Sequence, residues 1–328
     1  MGPARIRAAL PLRTITIMRI AVTGSSGTIG SALTTALEAR GDDVVRVVRR
    51  EAGAGEVSWD PASGEIDAAG FEGLDAVVHL AAAGIGDQRW TEDYKRTILN
   101  SRVDGTSLLA RTLAGLATPP AVFVSQSAAG IYGDRGDDLL TEESGRGDGF
   151  LADVVVAWEA AAQPAIDAGI RTVLPRSGQV FSPVHDLSPL AALNAPGTLQ
   201  RLVPLFRLGL GGKLGSGTQW WSWLSLPDQV RATLFAIDTA GLDGPVNFTS
   251  PEPVRNETFT EVLAKVLGKP AFLPVPAFGP KLVVGSELAE TLVFDSQRVI
   301  PPKLQAAGYE FLHPDLESAL RAVLDRPA

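Results

Sequence analysis

The segment Thr23-Gly24-Ser25-Ser26-Gly27-Thr28-Ile29-Gly30 restricts what this chain can fold into more than any other stretch. It follows a short apolar run, Arg19–Thr23 (RIAVT), and opens residues at helical spacing, Ile29, Leu33, Ala36 and Leu37, which end at Gly41. A buried strand, a glycine turn and a helix therefore follow one another directly. The three glycines divide the work. The first permits the tight turn, the second lets backbone approach a pyrophosphate, and the third lets helix pack on strand. Free N–H groups at the helix start then face the phosphates. The spacing implies a dinucleotide site in which Gly24, Ser25, Gly27, Thr28, Ile29 and Gly30 meet the cofactor.

The same alternation continues. Residues 44–48 (VVRVV), 76–80 (AVVHL) and 121–125 (AVFVS) read as the second, third and fourth strands, and a fifth begins at 172–174. Helices are expected near 94–113 and over 152–168. Strands separated by helices imply a parallel sheet with helices on both faces, a Rossmann-type doubly wound α/β fold. Beyond it, 182–227 shows weak periodicity. Asp228 reads as the N-cap of a helix to Ala240, followed by a strand at 245–248. Asn256 starts a helix with Phe259, Val262, Leu263, Val266 and Leu267 inward and Gly268 at its end. The expected organisation is a Rossmann domain over 18–180 plus roughly 225–250, with a smaller substrate-binding lobe from 181–224 and 251–328. Residues 1–17, ahead of the second methionine Met18, read as a disordered extension.

Composition removes several function classes. There is no cysteine, and the three histidines, His79, His185 and His313, lie far apart, so no metal site is expected. The net charge of −8 argues against a nucleic-acid partner. No apolar run is long enough for a membrane span, and a cytoplasmic location is expected.

The end of the second strand bears on the cofactor. An NAD site usually places an acid there for the ribose hydroxyl. This chain has Val48-Arg49-Arg50 followed by Glu51. A guanidinium fork suits a 2′-phosphate, so NADP(H) is the expected cofactor, with Arg49 as the contact because it lies closer to the strand. Two solvated surface arginines are the alternative. After the third strand, His79-Leu80-Ala81-Ala82-Ala83-Gly84 supplies small residues against which a cofactor can lie, with His79 itself packed. After the fourth, Ser125-Gln126-Ser127-Ala128-Ala129-Gly130-Ile131-Tyr132-Gly133 places hydroxyls at a strand's carboxyl end, where open α/β sheets bind ligands.

These residues resemble the extended short-chain dehydrogenase/reductase family. Further along, Trp90-Thr91, Ser101-Arg102-Val103, Trp158-Glu159, Gly209-Leu210-Gly211-Gly212, Leu214-Gly215-Ser216-Gly217 and Trp223 resemble an atypical, sugar-nucleotide-epimerase-like subgroup. So does a tail in which Ser296-Gln297-Arg298-Val299-Ile300-Pro301 precedes Ala307-Gly308-Tyr309-Glu310-Phe311. The resemblance implies an NADP(H)-binding core, with Gly24, Gly27, Gly30, Arg49, Leu80, Ala81 and Ala82 at the cofactor and Arg176 near its nicotinamide end. It also implies oxidoreductase or epimerase chemistry on a carbonyl or nucleotide-sugar-like small molecule.

One part of that family's equipment is absent. Its general acid/base is a tyrosine assisted by a lysine four residues later. Tyr94, Tyr132 and Tyr309 are followed at that distance by Ile98, Gly136 and His313. Aligning Glu159 with the family helix puts Leu151 and Val155 at the two positions. Ser127 remains as a candidate polarising hydroxyl, or as a turn and cofactor-contact residue. Tyr132, Asp153, Glu159 and His185 are possible substitutes in principle. Asp153 and Glu159 read as solvated helix residues, and Tyr132 as packed beside the cofactor loop. The Trp220-Trp221-Ser222-Trp223 cluster reads as core for at least two of its tryptophans. Two function classes follow: an NADP(H)-dependent enzyme, or a non-catalytic NADP(H)-binding sensor or regulator.

Overall fold

The computed structural model describes residues 17–184, 195, 197–271 and 274–326. The expected extension, except Ile17, and His185 lie outside these residues. Strand β1 (Arg19–Thr23) occupies the middle of the main sheet, because Ile20, Ala21 and Val22 are apolar on both faces and fully buried. On one side it pairs in parallel with β2 (Asp43–Val48), in the register Ile20 to Val44. On the other it pairs with β5 (Ala76–His79), Ile20 to Ala76. The sheet extends past β5 through β6 (Val122–Ser125), β9 (Arg171–Ser177) and β13 (Gly244–Phe248), all parallel. Past β2 it extends through β3 (Glu56–Asp60) to an antiparallel edge strand, β4 (Glu65–Ile66). A short piece, β7 (Ser127–Ala128), pairs with the end of β9. Chain order reverses between β1 and β5, which makes their carboxyl ends a topological switch point.

The doubly wound class is therefore as the sequence implies, with one omission. The hairpin β3–β4 was not foreseen. Its core-facing residues are only Val57 and Trp59, flanked by charge, which is too short a pattern to stand out. Helix α1 (Thr28–Arg40) and helix α6 (Leu226–Asp238) cover one sheet face through Leu33, Leu37, Ala232 and Ala236. Helix α2 (Glu92–Ala114) covers the other, with Leu108, Leu109 and Leu113 against Phe123 and Val77. The expected helix over 152–168 is two: α3 (Phe150–Ala160) and α4 (Gln163–Asp167). Pro164 falls in the first turn of α4, where its missing N–H costs nothing.

A third core gathers the remaining residues. It joins β10 (Gln179–Phe181) with β12 (Trp223–Ser225), α5 (Thr198–Arg207), α7 (Asn256–Leu267) and the helix Leu316–Val323 around Phe181, Trp223 and Phe259. The Phe181 and Trp223 rings stack at 5.8 Å. Two further ladders tie this region down: β11 (Trp220–Trp221) with β14 (Val254–Arg255), and β8 (Leu139–Leu140) with β15 (Arg298–Val299). Two expectations change here. Leu304 and Tyr309, read with the outer lobe, pack in the core on the sheet face beside Ala236 and Val246. The N-cap of α6 is Ser225 rather than Asp228: its Oγ accepts from Asp228 N at 3.1 Å and donates to Asp228 Oδ2 at 2.9 Å. Pro227 occupies the first turn, so the helix begins before the residue the sequence favoured.

Candidate functional site

The glycine loop leaves β1 at the switch point. Gly24 has φ +66°, and a Cβ there would lie 2.9 Å from Ala81 N and Leu80 C. A Cβ at Gly30 would lie 2.1 Å from Gly24 O. The protein's own backbone forbids side chains at both positions. Gly27 differs: its Cβ would meet only Gly24 O, at 3.4 Å, and its φ of −76° suits any residue. Nothing in the packing requires glycine at the exposed N-cap of α1, and no side chain caps that helix. A bare helix start beside an open glycine fits an incoming phosphate.

Thr23, just before the loop, fastens the neighbouring one. Its Oγ1 accepts from Leu80 N at 3.0 Å and Ala81 N at 3.2 Å, and lies 2.7 Å from His79 Nδ1. With two amides already donating to it, the hydroxyl gives its own proton to the ring, which assigns His79 the Nε2–H tautomer. The ring is fully buried, and burial pushes its pKa down to about 3. His79 is a neutral packed residue. The small residues Leu80, Ala81 and Ala82 then run along the cleft wall, half-buried to exposed.

At the end of β2 the two arginines separate. Arg50 forks onto Glu56 at 2.6 and 2.7 Å, and that hydrogen-bonded pair holds the Glu56 carboxyl below its usual range. Arg49 makes no hydrogen bond or ion pair among the described residues. Both line an open cavity of about 430 Å³ with Ser58 and Trp59. Glu51, Asp60, Glu65 and Asp67 share its wall, so an anion there depends on the arginines.

The opposite end of the site is where the tyrosine and lysine of the resembled family would sit. Leu151 and Val155 are buried, Leu151 against the turn at Gly130 and Val155 among Ala129, Ile131 and Tyr132. One turn further, Glu159 lies on the same stripe of α3 and is not solvated as expected. Its Oε1 accepts from Ser127 Oγ at 2.6 Å and Arg176 Nε at 2.8 Å, and its Oε2 accepts from Arg176 Nη2 at 2.8 Å. Arg176 continues to Tyr132 Oη at 3.1 Å, and Tyr132 donates to Asn247 Oδ1 at 2.7 Å. Burial works to lower the Arg176 pKa, but Glu159 holds it above the ordinary value. Sequence reasoning missed this network because its members lie on β7, the turn Ala129–Tyr132, α3, β9 and β13.

The chain's three tyrosine hydroxyls are all committed internally. Tyr132 gives its proton to Asn247, Tyr94 to Gly84 O at 2.5 Å, and Tyr309 to Asp228 Oδ1 at 2.9 Å. Asp153 is exposed and pairs with Arg146 at 2.5 Å. Trp221 and Trp223 are core. Trp220 is half-buried, with the Arg255 and Arg298 guanidiniums each 4.6 Å from its ring centre. No described helix is long and apolar enough to cross a membrane.

Residues 20–247 match the NAD dependent epimerase/dehydratase family, and residues 275–323 match a domain of unknown function, DUF1731. Epimerase family protein Mb2239 of Mycobacterium bovis is 41% identical over 309 residues, covering 94% of this chain and 98% of that protein. The crystal structure of human epimerase family protein SDR39U1 with NADPH superposes with a TM-score of 0.83 at 33% identity, covering 94% of this chain and 100% of that one. The crystal structure of the nucleoside-diphosphate sugar epimerase from Corynebacterium glutamicum gives a TM-score of 0.74 at 34% identity, covering 94% of this chain and 59% of that one.

Proposed function

The chain belongs to the NAD-dependent epimerase/dehydratase family, and from that premise we propose that it binds NADP(H) and acts as an oxidoreductase or epimerase on a carbonyl or nucleotide-sugar-like substrate. The observation that carries the cofactor reading is Gly27, the one loop glycine whose side chain the protein itself does not exclude. The NADPH in the human relative and the uncommitted Arg49 support the phosphorylated form of the cofactor. Gly24, Ser25, Gly27, Thr28, Ile29 and Gly30 would hold the pyrophosphate, Arg49 the 2′-phosphate, and the backbone of Leu80, Ala81 and Ala82 the cleft wall. A bound nicotinamide supplies or accepts the hydride.

For proton movement the chain offers Ser127 and Glu159. Ser127 gives its own proton to Glu159, so it presents lone pairs and can accept from a substrate hydroxyl. Arg176 is clamped on both oxygens of Glu159 and so occupies lone pairs that a proton relay would use, which makes the pair a weaker relay than tyrosine and lysine. That clamp, with buried Leu151 and Val155, favours a second reading, in which the chain binds NADP(H) as a sensor or regulator without turnover.

The Gly27→Val variant tests the shared premise. It should melt near the wild-type temperature and lose the stabilisation by NADPH, which at a hundred times Kd is about 2.7 kcal/mol. A Gly27→Val protein still stabilised by NADPH would overturn the loop's role. NADPH oxidation with a carbonyl panel separates the two readings. Turnover abolished by Ser127→Ala supports the enzyme, and no turnover with any member supports the sensor.

A further inference from the structure

A second cation stands beside the cleft with no carboxylate to balance it. Arg102, in the middle of α2, is 6% exposed. Its Nη1 donates to Ala83 O at 3.1 Å and Ile98 O at 3.0 Å, and its guanidinium lies 5.0 Å from the Trp158 ring centre. Nε and Nη2 have no hydrogen-bond partner among the described residues. Trp158 is itself fixed by Thr106, which accepts from its indole N–H at 2.9 Å. A cation that is mostly buried and meets carbonyls and a ring face has given up most of its hydration without gaining a counter-ion, and its two unpartnered nitrogens are not among the fully enclosed polar atoms.

The position says where the counter-ion would come from. Arg102 holds the carbonyl of Ala83, Ser101 accepts the Ala83 N–H at 3.1 Å, and Tyr94 donates to Gly84 O. Three side chains of α2 thus fix the end of the segment 80–84, which leaves β5 at the switch point. Trp158, under the guanidinium, adjoins Glu159, which reaches Ser127 on β7. The charge therefore lies behind the segment 80–84, whose Ala81 N is only 2.9 Å from where a Cβ on Gly24 of the glycine loop would be.

We propose that Arg102 supplies the positive charge for the diphosphate of the bound dinucleotide, which the glycine loop packed against Leu80 and Ala81 would hold. This rests on the NADP(H) reading above and adds to it a residue on α2, outside the glycine loop and the arginine pair. Arg49 then serves the 2′-phosphate and Arg102 the diphosphate, at separate points on one ligand. Burial lowers the Arg102 pKa to about 10, still protonated at neutral pH, so the charge is present when the ligand arrives.

The test compares Arg102→Gln with Arg102→Lys, titrated with NADPH and with 2′-AMP, which has the 2′-phosphate but no diphosphate. Both variants can still donate to Ala83 O, and only one keeps the charge. Arg102→Gln should bind NADPH roughly thirtyfold more weakly or worse, the low end for removing one partner of a buried charge pair. Arg102→Lys should stay within a few-fold of wild type, and 2′-AMP binding should not change in either. Equal losses in Gln and Lys, equal losses for NADPH and 2′-AMP, or no loss at all would each overturn the proposal and leave a loop-fixing role. Failure of the wild type to bind NADPH would remove the cofactor reading as well.

Discussion

At position 79 the sequence showed a histidine on a strand, and the structure shows why it is not a catalyst. Its ring is enclosed between Thr23 and Trp59, whose ring stands edge-on at 5.7 Å. The consequence is a pH dependence with a defined sign. The folded pKa is depressed to about 3 from 6.5, so the unfolded chain binds a proton that the folded one refuses. Stability from this group is full above pH 6.5 and falls as pH drops toward 3, by up to about 1.4 kcal/mol per pH unit. Urea unfolding between pH 7 and 4.5 should show that slope, and His79→Asn, whose amide oxygen can take the Thr23 proton, should flatten it. A wild-type slope unchanged in the variant would show that other groups carry the acid sensitivity. Other residues were less legible. Glu159 and Arg176 are 17 positions apart, and nothing local distinguishes their pairing from two solvated side chains. Arg102 did leave a signal: it falls on the buried stripe Tyr94, Ile98, Leu109 and Leu113 of α2, where an arginine is out of place.

Among elements, strands and helices with long apolar patterns were legible, and short or cap-dependent ones were not. β1, β2, β5 and β6 differ from their expected spans by at most a residue at an end, because each carries a run of buried apolar residues. The start of α6 was misplaced because Ser225 and Asp228 are both good caps at the right distance for a capping box. Only tertiary structure decides between them. Asp228 is fully buried, and its carboxylate also accepts from Leu312 N at 2.8 Å and His313 N at 2.9 Å, so one acid ties the tail to the helix. Ser225→Ala should therefore cost more than an isolated cap. A cap alone is about 1 kcal/mol, whereas this hydroxyl also donates to a buried carboxylate, so a loss of about 2–4 kcal/mol in denaturant unfolding is expected. A loss below about 0.5 kcal/mol would mean that the Asp228 cluster reorganises without it.

For the whole molecule, the sheet brings the candidate residues to one edge. The glycine loop after β1, Arg49 after β2, the 80–84 segment after β5 and Ser127 after β6 all leave the carboxyl ends of adjacent parallel strands. That convergence was legible from strand order alone. The outer core around Trp223 was not, since its residues come from 181 to 324 with weak periodicity, and the return of Leu304 and Tyr309 to the sheet face blurs the expected boundary. The central claim is that this edge is an NADP(H) site in which Arg49 reads the 2′-phosphate. The most direct measurement is the affinity of wild type and Arg49→Ala for NADPH and NADH. Wild type should prefer NADPH, and Arg49→Ala should lose about ten- to a hundredfold for NADPH with NADH unchanged, the worth of hydrogen bonds to a charged group. A wild type that prefers NADH, or a variant that weakens both ligands equally, would contradict it.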